Sequence, residues 1–151
     1  MITPPRAACG ASLGLLLALA SFEGAAQLSP RDCPQPRFTE KAPDEYYQRA
    51  NPLAEGTTDL KAAERIFHKD RGTIACASCH GEKGDGRGQL SELFDPRPRN
   101  FACARAIAGV PDGQLFWIIR FGSPGTAMPA NADLSDEVIW KLVLYLRQLS
   151  K

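Results

Sequence analysis

The chain has 151 residues, of which 44% are hydrophobic, and its 18 basic and 17 acidic residues give a net charge of +1. This length supplies the core of one domain. The near-neutral charge argues against nucleic acid or an anionic membrane surface as the partner, since either would call for a strong positive field.

The amino terminus has the pattern of a secretory signal peptide. Arg6 precedes an apolar stretch, residues 11–20, that is too short to cross a bilayer, and small residues follow up to Ala26. We expect residues 1–26 to be removed after export. No later segment is apolar for long enough to span a membrane, which predicts a soluble periplasmic protein without stable membrane insertion. The alternative is an apolar stretch retained as a membrane anchor.

Residues 27–58 are rich in proline and polar side chains, which interrupt any periodic pattern. We predict an extended arm over the surface of the domain. Tyr46, Tyr47 and Leu53 offer apolar docking points for it. The alternative is a disordered segment.

The first predicted helix begins at Asp59, as a cap, and runs to about His68. Leu60, Ala63 and Phe67 lie on one face of it, because they follow one another at helical spacing. This helix opens the predicted domain, residues 59–151.

Residues 76–80 read Cys-Ala-Ser-Cys-His, the pattern of covalent haem attachment. Each thiol adds across one vinyl group of the haem, and the histidine that follows brings an imidazole to the iron. The motif predicts one haem c, attached through Cys76 and Cys79, with His80 as an iron ligand.

Two other dithiol sites fit this pattern less well. A structural zinc site needs four ligands, and the remaining thiols and His68 show no second pair at zinc spacing. A thioredoxin-like dithiol follows a strand, whereas a helix and a turn are predicted before Cys76.

The glycine-rich run at residues 81–88 matches neither a phosphate-binding P-loop nor a dinucleotide-binding motif, and no strand precedes it. We interpret it as a close-packed turn beside the cofactor.

Two further helices are predicted in the second half of the chain. Residues 112–121 are mostly apolar and are followed by Gly122, which is typical of a helix end. Ser135 is the predicted cap of the last helix, with Leu134 and Ile139 as a hydrophobic staple. No segment has the alternation of a strand, so the predicted fold class is all-α.

The second axial ligand separates an electron carrier from a catalyst. Once the signal peptide is removed, Met128 is the only methionine, and it lies in a loop rich in Gly and Pro between two helices. We predict that its thioether binds the iron opposite His80. Two other residues are candidate ligands: His68, which is too close to the motif in sequence to reach the opposite face of the haem, and Cys103, the other soft ligand. The alternative role for Met128 is to fill a gap in the core.

Cys33 and Cys103 remain once Cys9 leaves with the signal peptide and the haem takes the other two thiols. Because disulfides persist in exported proteins, we predict a bond between them. The alternative is two unpaired thiols.

Residues 59–151 resemble a class I c-type cytochrome with one haem, in the order helix, CxxCH, glycine loop, helix, Met-Pro loop and helix. The resemblance implies a small all-α domain wrapped around the haem. By position, Cys76 and Cys79 resemble the thioether sites, His80 the proximal ligand and Met128 the distal ligand.

The resemblance also implies that the first and last helices pack across each other. Ala63, Phe67 and Tyr145 match the residues that meet at this crossing. The family prefers glycine where Ala63 stands.

Residues 97–101 resemble the segment on the proximal side of the haem. There a backbone carbonyl accepts the Nδ1 hydrogen of His80, and we expect it to be that of Pro96 or Pro98. Arg99 is the candidate partner of a haem propionate.

The predicted function is that of a one-electron carrier, not an enzyme. Redox protein partners would dock through a small transient interface, which implies a monomer or weak complexes. The aromatic candidates for the haem pocket are Phe94, Phe101, Phe116 and Trp117, and the alternative for each is a place in the ordinary core. The alternatives are an electron-transfer subunit of a periplasmic dehydrogenase or oxidase complex, a haem enzyme with an open sixth position, and a sensor of haem ligands.

Overall fold

The computed structural model describes Met1 and residues 33–36, 39–53, 57–69 and 74–151. Among these residues the regular structure is helical and no strand occurs, which confirms the predicted all-α class. Apart from Met1, the predicted signal peptide lies outside the described residues. Among the described residues, no helix has both the length and the apolar character needed to cross a membrane.

The helices are α1 Asp44–Tyr47, α2 Thr57–His68, α3 Cys76–His80, α4 Ala104–Ile107, α5 Asp112–Phe121 and α6 Asp136–Leu149, and a 3₁₀ turn lies at Ser91–Leu93. The prediction for residues 112–121 is confirmed, and Gly122 ends α5 with a φ of 79°. Helix α2 begins two residues earlier than predicted. Asp59 therefore lies in its first turn and is not its cap.

Helix α6 packs across α2, as the resemblance implies. Ser135 caps α6, because its Oγ accepts a hydrogen bond from the Val138 backbone at 3.3 Å. Ala63 is fully buried, and the rings of Phe67 and Tyr145 lie 5.4 Å apart. Burial of a side chain the size of Phe67 contributes about 1.5–3 kcal/mol, so this crossing stabilises the fold.

Helix α5 forms the second wall of the core against α6. The Phe116 and Trp140 rings are 4.4 Å apart at this contact. Near the end of α6, the Arg147 guanidinium donates to Asp112 Oδ1 at 2.9 Å and to the Ile107 carbonyl at 2.7 Å. These bonds hold the start of α5 against the end of α6.

The described residues before α2 depart from a simple extended arm, because Asp44–Tyr47 forms one helical turn after Pro43. Gln114 of α5, fully buried, fixes this segment. Its amide accepts from the Ala42 backbone at 2.7 Å and donates to the Glu40 carbonyl at 3.0 Å.

Cys33 and Cys103 lie side by side. Their Cα atoms are 5.5 Å apart, although 70 positions separate the two residues in the sequence. The Cα separation is within the range that a disulfide requires.

Candidate haem-binding site

Helix α3 carries the Cys-Ala-Ser-Cys-His motif in little more than one turn. Cys76 and Cys79 are three residues apart, so they share a face of the helix, and both are half-buried. His80 ends the helix and is buried. The motif therefore presents two thiols and an imidazole within one helical turn.

A cavity of about 270 Å³ opens beside α3, and Cys76, Cys79 and His80 lie on its wall. Met128, which is half-buried, lies on the wall of the same cavity. Most of the lining is apolar and includes Phe94, Phe101, Ile107, Leu115, Ile119 and Leu146. The fold thus brings the four predicted site residues to one apolar cavity, although His80 and Met128 are 48 positions apart in the sequence.

The His80 ring is held by a hydrogen bond and by ring stacking. Its Nδ1 lies 3.0 Å from the Arg99 carbonyl oxygen, and its ring stacks on Phe101 with the centroids 4.6 Å apart. Because a carbonyl oxygen only accepts, Nδ1 carries the hydrogen, and in the neutral ring Nε2 keeps its lone pair. Burial lowers the pKa of His80, which favours that neutral form.

The acceptor for His80 is Arg99, so the expectation of Pro96 or Pro98 was wrong. The Pro98 carbonyl accepts a hydrogen bond from Gln35 Nε2 at 3.2 Å instead. Arg99 lines the cavity, and its guanidinium donates to the backbone carbonyls of Gln35 and Pro36, at 3.1 and 3.4 Å. Its pairing with a propionate stays a prediction.

The glycine-rich run folds back along α3 and caps its carbonyl groups. The backbone amides of Gly86 and Gly88 donate to the carbonyls of His80 and Cys79, at 2.7 and 3.1 Å. At Gly88, a Cβ atom would lie 2.3 Å from the Ser78 carbonyl oxygen, so a larger residue does not fit. The run is the close-packed turn that the sequence predicts, and it fixes the carboxyl end of the motif.

Met128 lies in a loop that is tied to the end of α5. The Met128 carbonyl accepts from the Ser123 backbone at 3.2 Å, and its amide donates to Thr126 Oγ1 at 3.2 Å. Asn131 Nδ2 donates to the Ile119 carbonyl at 2.9 Å. These bonds define the path of the loop along the cavity.

The other two candidate ligands lie elsewhere. His68 Nδ1 contacts Glu82 Oε2 at 2.7 Å, and its Nε2 contacts the Tyr145 hydroxyl at 3.1 Å. Cys103 lies beside Cys33. Neither His68 nor Cys103 is among the described residues that line the large cavity.

Two of the four candidate pocket aromatics line the cavity. Phe94 and Phe101 do so, whereas Phe116 is buried between Tyr46 and Trp140 in the core. Trp117 is half-buried, and its ring lies 6.2 Å from that of Phe121. The pocket placement was wrong for Phe116 and Trp117, because helical periodicity does not distinguish a cavity wall from the core beside it.

Sequence reasoning missed Gln35, which lies on the cavity wall and bonds to the segment that holds His80. Its only signal in the sequence is a polar residue between two prolines of the arm. Contacts of this kind, across more than 60 positions, have no local pattern.

Comparisons with known proteins identify the family of this chain. A family model described as cytochrome c oxidase, cbb3-type, subunit III, matches residues 58–146, more than half of the chain. A solved chain titled "Kuenenia stuttgartiensis reducing HAO-like protein complex Kustc0457/Kustc0458" is 26% identical, with a TM-score of 0.56. The match covers 66% of this chain and 47% of that one, so this chain spans about half the length of that neighbour. The chain is a c-type cytochrome and belongs to the family whose model is described as cytochrome c oxidase, cbb3-type, subunit III.

Proposed function

We propose that the protein is an exported one-electron carrier with one haem c, attached through Cys76 and Cys79 and ligated by His80 and Met128. A cytochrome c domain implies haem and electron transfer. The observation that carries the finer assignment is the shared cavity, since Cys76, Cys79, His80 and Met128 all line one largely apolar cavity.

The donor set fits a covalent haem. Cys76 and Cys79 are the sites of thioether attachment, and the Nδ1 bond to Arg99 leaves the Nε2 lone pair of His80 for the iron. The Met128 thioether is a neutral, polarizable ligand, which favours a higher potential than a second imidazole. When bound, the haem supplies a one-electron Fe(III)/Fe(II) couple.

The rest of the cavity favours electron transfer over catalysis at the iron. Phe101, Ile107 and Leu115 give the site an apolar lining, and a bound haem in such surroundings would have its potential controlled by axial ligation and burial. If His80 and Met128 both bound the iron, they would leave no position open to a substrate. A haem enzyme with an open sixth position and a sensor of haem ligands are therefore less consistent with this cavity.

Export to the periplasm belongs to the same proposal. The signal-peptide pattern at residues 1–26 supports it, and so does the pairing of Cys33 with Cys103, since disulfides persist in oxidising compartments.

Replacement of the proposed distal ligand tests the assignment. In Met128→Ala we expect loss of the weak long-wavelength band of a thioether-ligated ferric haem, binding of added ligands to the iron and a lower potential. The matched control is His68→Gln, which removes the other nitrogen candidate and should leave the spectrum unchanged. An unchanged spectrum and potential in Met128→Ala would overturn the ligand assignment.

A second candidate function is that of an electron-transfer subunit in a larger oxidoreductase. The matched family model is described as an oxidase subunit, and the solved neighbour comes from a complex. The native mass of the protein purified from its own source separates the two functions. A carrier elutes with the mass of one chain, whereas a subunit elutes in an assembly of fixed composition.

A further inference from the structure

The segment 33–36 lies against the segment that orients His80. The Gln35 side-chain amide bonds to the backbone on both sides of Arg99. Its Nε2 donates to the Pro98 backbone carbonyl at 3.2 Å, and its Oε1 accepts from the Asn100 backbone N–H at 2.6 Å. One side chain thus holds the two peptide groups that flank the Arg99 residue, whose own carbonyl accepts from His80.

Three further contacts fix Gln35 in this position. The Arg99 guanidinium donates to the Gln35 backbone carbonyl at 3.1 Å, so the two residues hold each other. Arg105 Nη2 donates to the Cys33 carbonyl at 3.0 Å, and Cys33 lies beside Cys103. The segment is therefore anchored at three positions on the stretch from Arg99 to Arg105, namely Arg99, Cys103 and Arg105.

The direction of the Arg99 carbonyl decides how strongly it accepts the His80 hydrogen. A hydrogen bond weakens steeply when the angle at its hydrogen falls below about 120°. A strong bond at Nδ1 raises the basicity of the imidazole at Nε2, and a more basic ligand favours the oxidised iron. Loss of the bonds from Gln35 frees the peptide groups beside Arg99 to rotate.

We propose that Gln35 is a positioning residue that aligns the Arg99 carbonyl with His80 Nδ1 and thereby lowers the potential of the haem. The inference rests on the proposed function, because it needs a haem ligated by His80. Gln35 precedes the region that the family model matches, so the inference assigns control of the haem potential to a residue outside that region.

A purely structural role for Gln35 predicts the opposite change in potential. If Gln35 only closed the cavity, its loss would admit water, which stabilises the more highly charged ferric site and lowers the potential. If Gln35 aligns Arg99, its loss weakens the His80 bond and raises the potential. The sign of the shift therefore separates the two roles.

The test uses Gln35→Leu, which keeps the size of the side chain, and Gln35→Ala, both neutral. Asn51→Ala is the matched control. Asn51 also precedes α2, and its side-chain Nδ2 donates to a backbone carbonyl distant in sequence, that of Trp140, at 2.9 Å. The haem-loaded proteins are compared by redox titration and by the exchange rate of the His80 Nδ1 hydrogen, measured by NMR. We expect a higher potential and exchange on the order of tenfold faster in both Gln35 variants, and no change in the control.

A potential that is unchanged or lower in the Gln35 variants, or unchanged hydrogen exchange, overturns the inference. If Gln35→Ala takes up no haem, Gln35→Leu decides. A wild-type protein without haem at Cys76 and Cys79 would contradict the proposed function itself, so the two failures are distinguishable.

Discussion

The backbone of Gly113 in α5 lies directly against the carbonyl oxygen of Tyr46 in α1. A Cβ atom at position 113 would be 1.8 Å from that oxygen. Next to this contact, the rings of Tyr46 and Phe116 stack with their centroids 6.3 Å apart. The docking of α1 on the domain therefore requires glycine at this position, because only a residue without a side chain permits so close an approach.

Gly113→Ala is expected to lower the free energy of unfolding by about 1–3 kcal/mol, because the new methyl group displaces a backbone carbonyl. This loss exceeds the gain in helix propensity, about 0.5–1 kcal/mol. Urea unfolding measures the change. Gly109→Ala is the control, since a Cβ there meets no atom within 4 Å and should change stability by no more than about 0.5 kcal/mol. Equal stability of Gly113→Ala and the wild type would contradict the close contact.

The proposed bond between Cys33 and Cys103 predicts how the thiols react. Replacement of either cysteine with serine should leave the other with a free thiol that can be labelled under non-reducing conditions. For a separation of 70 residues the loss of stability should be roughly 4 kcal/mol by the chain-entropy model. Alkylation followed by mass spectrometry checks the pairing. Labelling of both residues in the unreduced wild type would show that the bond does not form.

The Tyr145 hydroxyl predicts a loss of stability at alkaline pH. Burial raises the pKa of Tyr145, and the carboxylates of Glu64 and Glu82 raise it further. The unfolded chain therefore loses this proton at a lower pH than the folded protein. The stabilisation is fully present below the unfolded pKa of about 10 and is lost as pH rises through the higher folded pKa.

Tyr145→Phe should flatten this alkaline decline, and it should cost about 1 kcal/mol at neutral pH because His68 Nε2 loses its partner. Urea unfolding followed by circular dichroism across the alkaline range measures both effects. Tyr47→Phe on α1 is the control and should keep the wild-type profile. If the stability of Tyr145→Phe fell as steeply with pH as that of the wild type, groups other than Tyr145 would be responsible for the alkaline loss.

The helices differ in how well the sequence predicts them. Helix α5 has the predicted bounds, and the Ser135 cap of α6 is present, because periodicity and capping depend on residues within one or two turns. The single-turn helices α1 and α4 were not predicted. One turn is too short to show a period, and its stability comes from packing.

By itself the sequence determined the Cys-Ala-Ser-Cys-His motif at Cys76–His80, the single methionine after residue 26 and the all-α class. These follow from residue types at short, fixed spacings. The tertiary structure alone decided that Arg99 accepts the His80 hydrogen and that Gln35 holds the backbone on either side of it. Contacts between residues 63 and 65 positions apart depend on how the whole chain packs, so no local pattern specifies them.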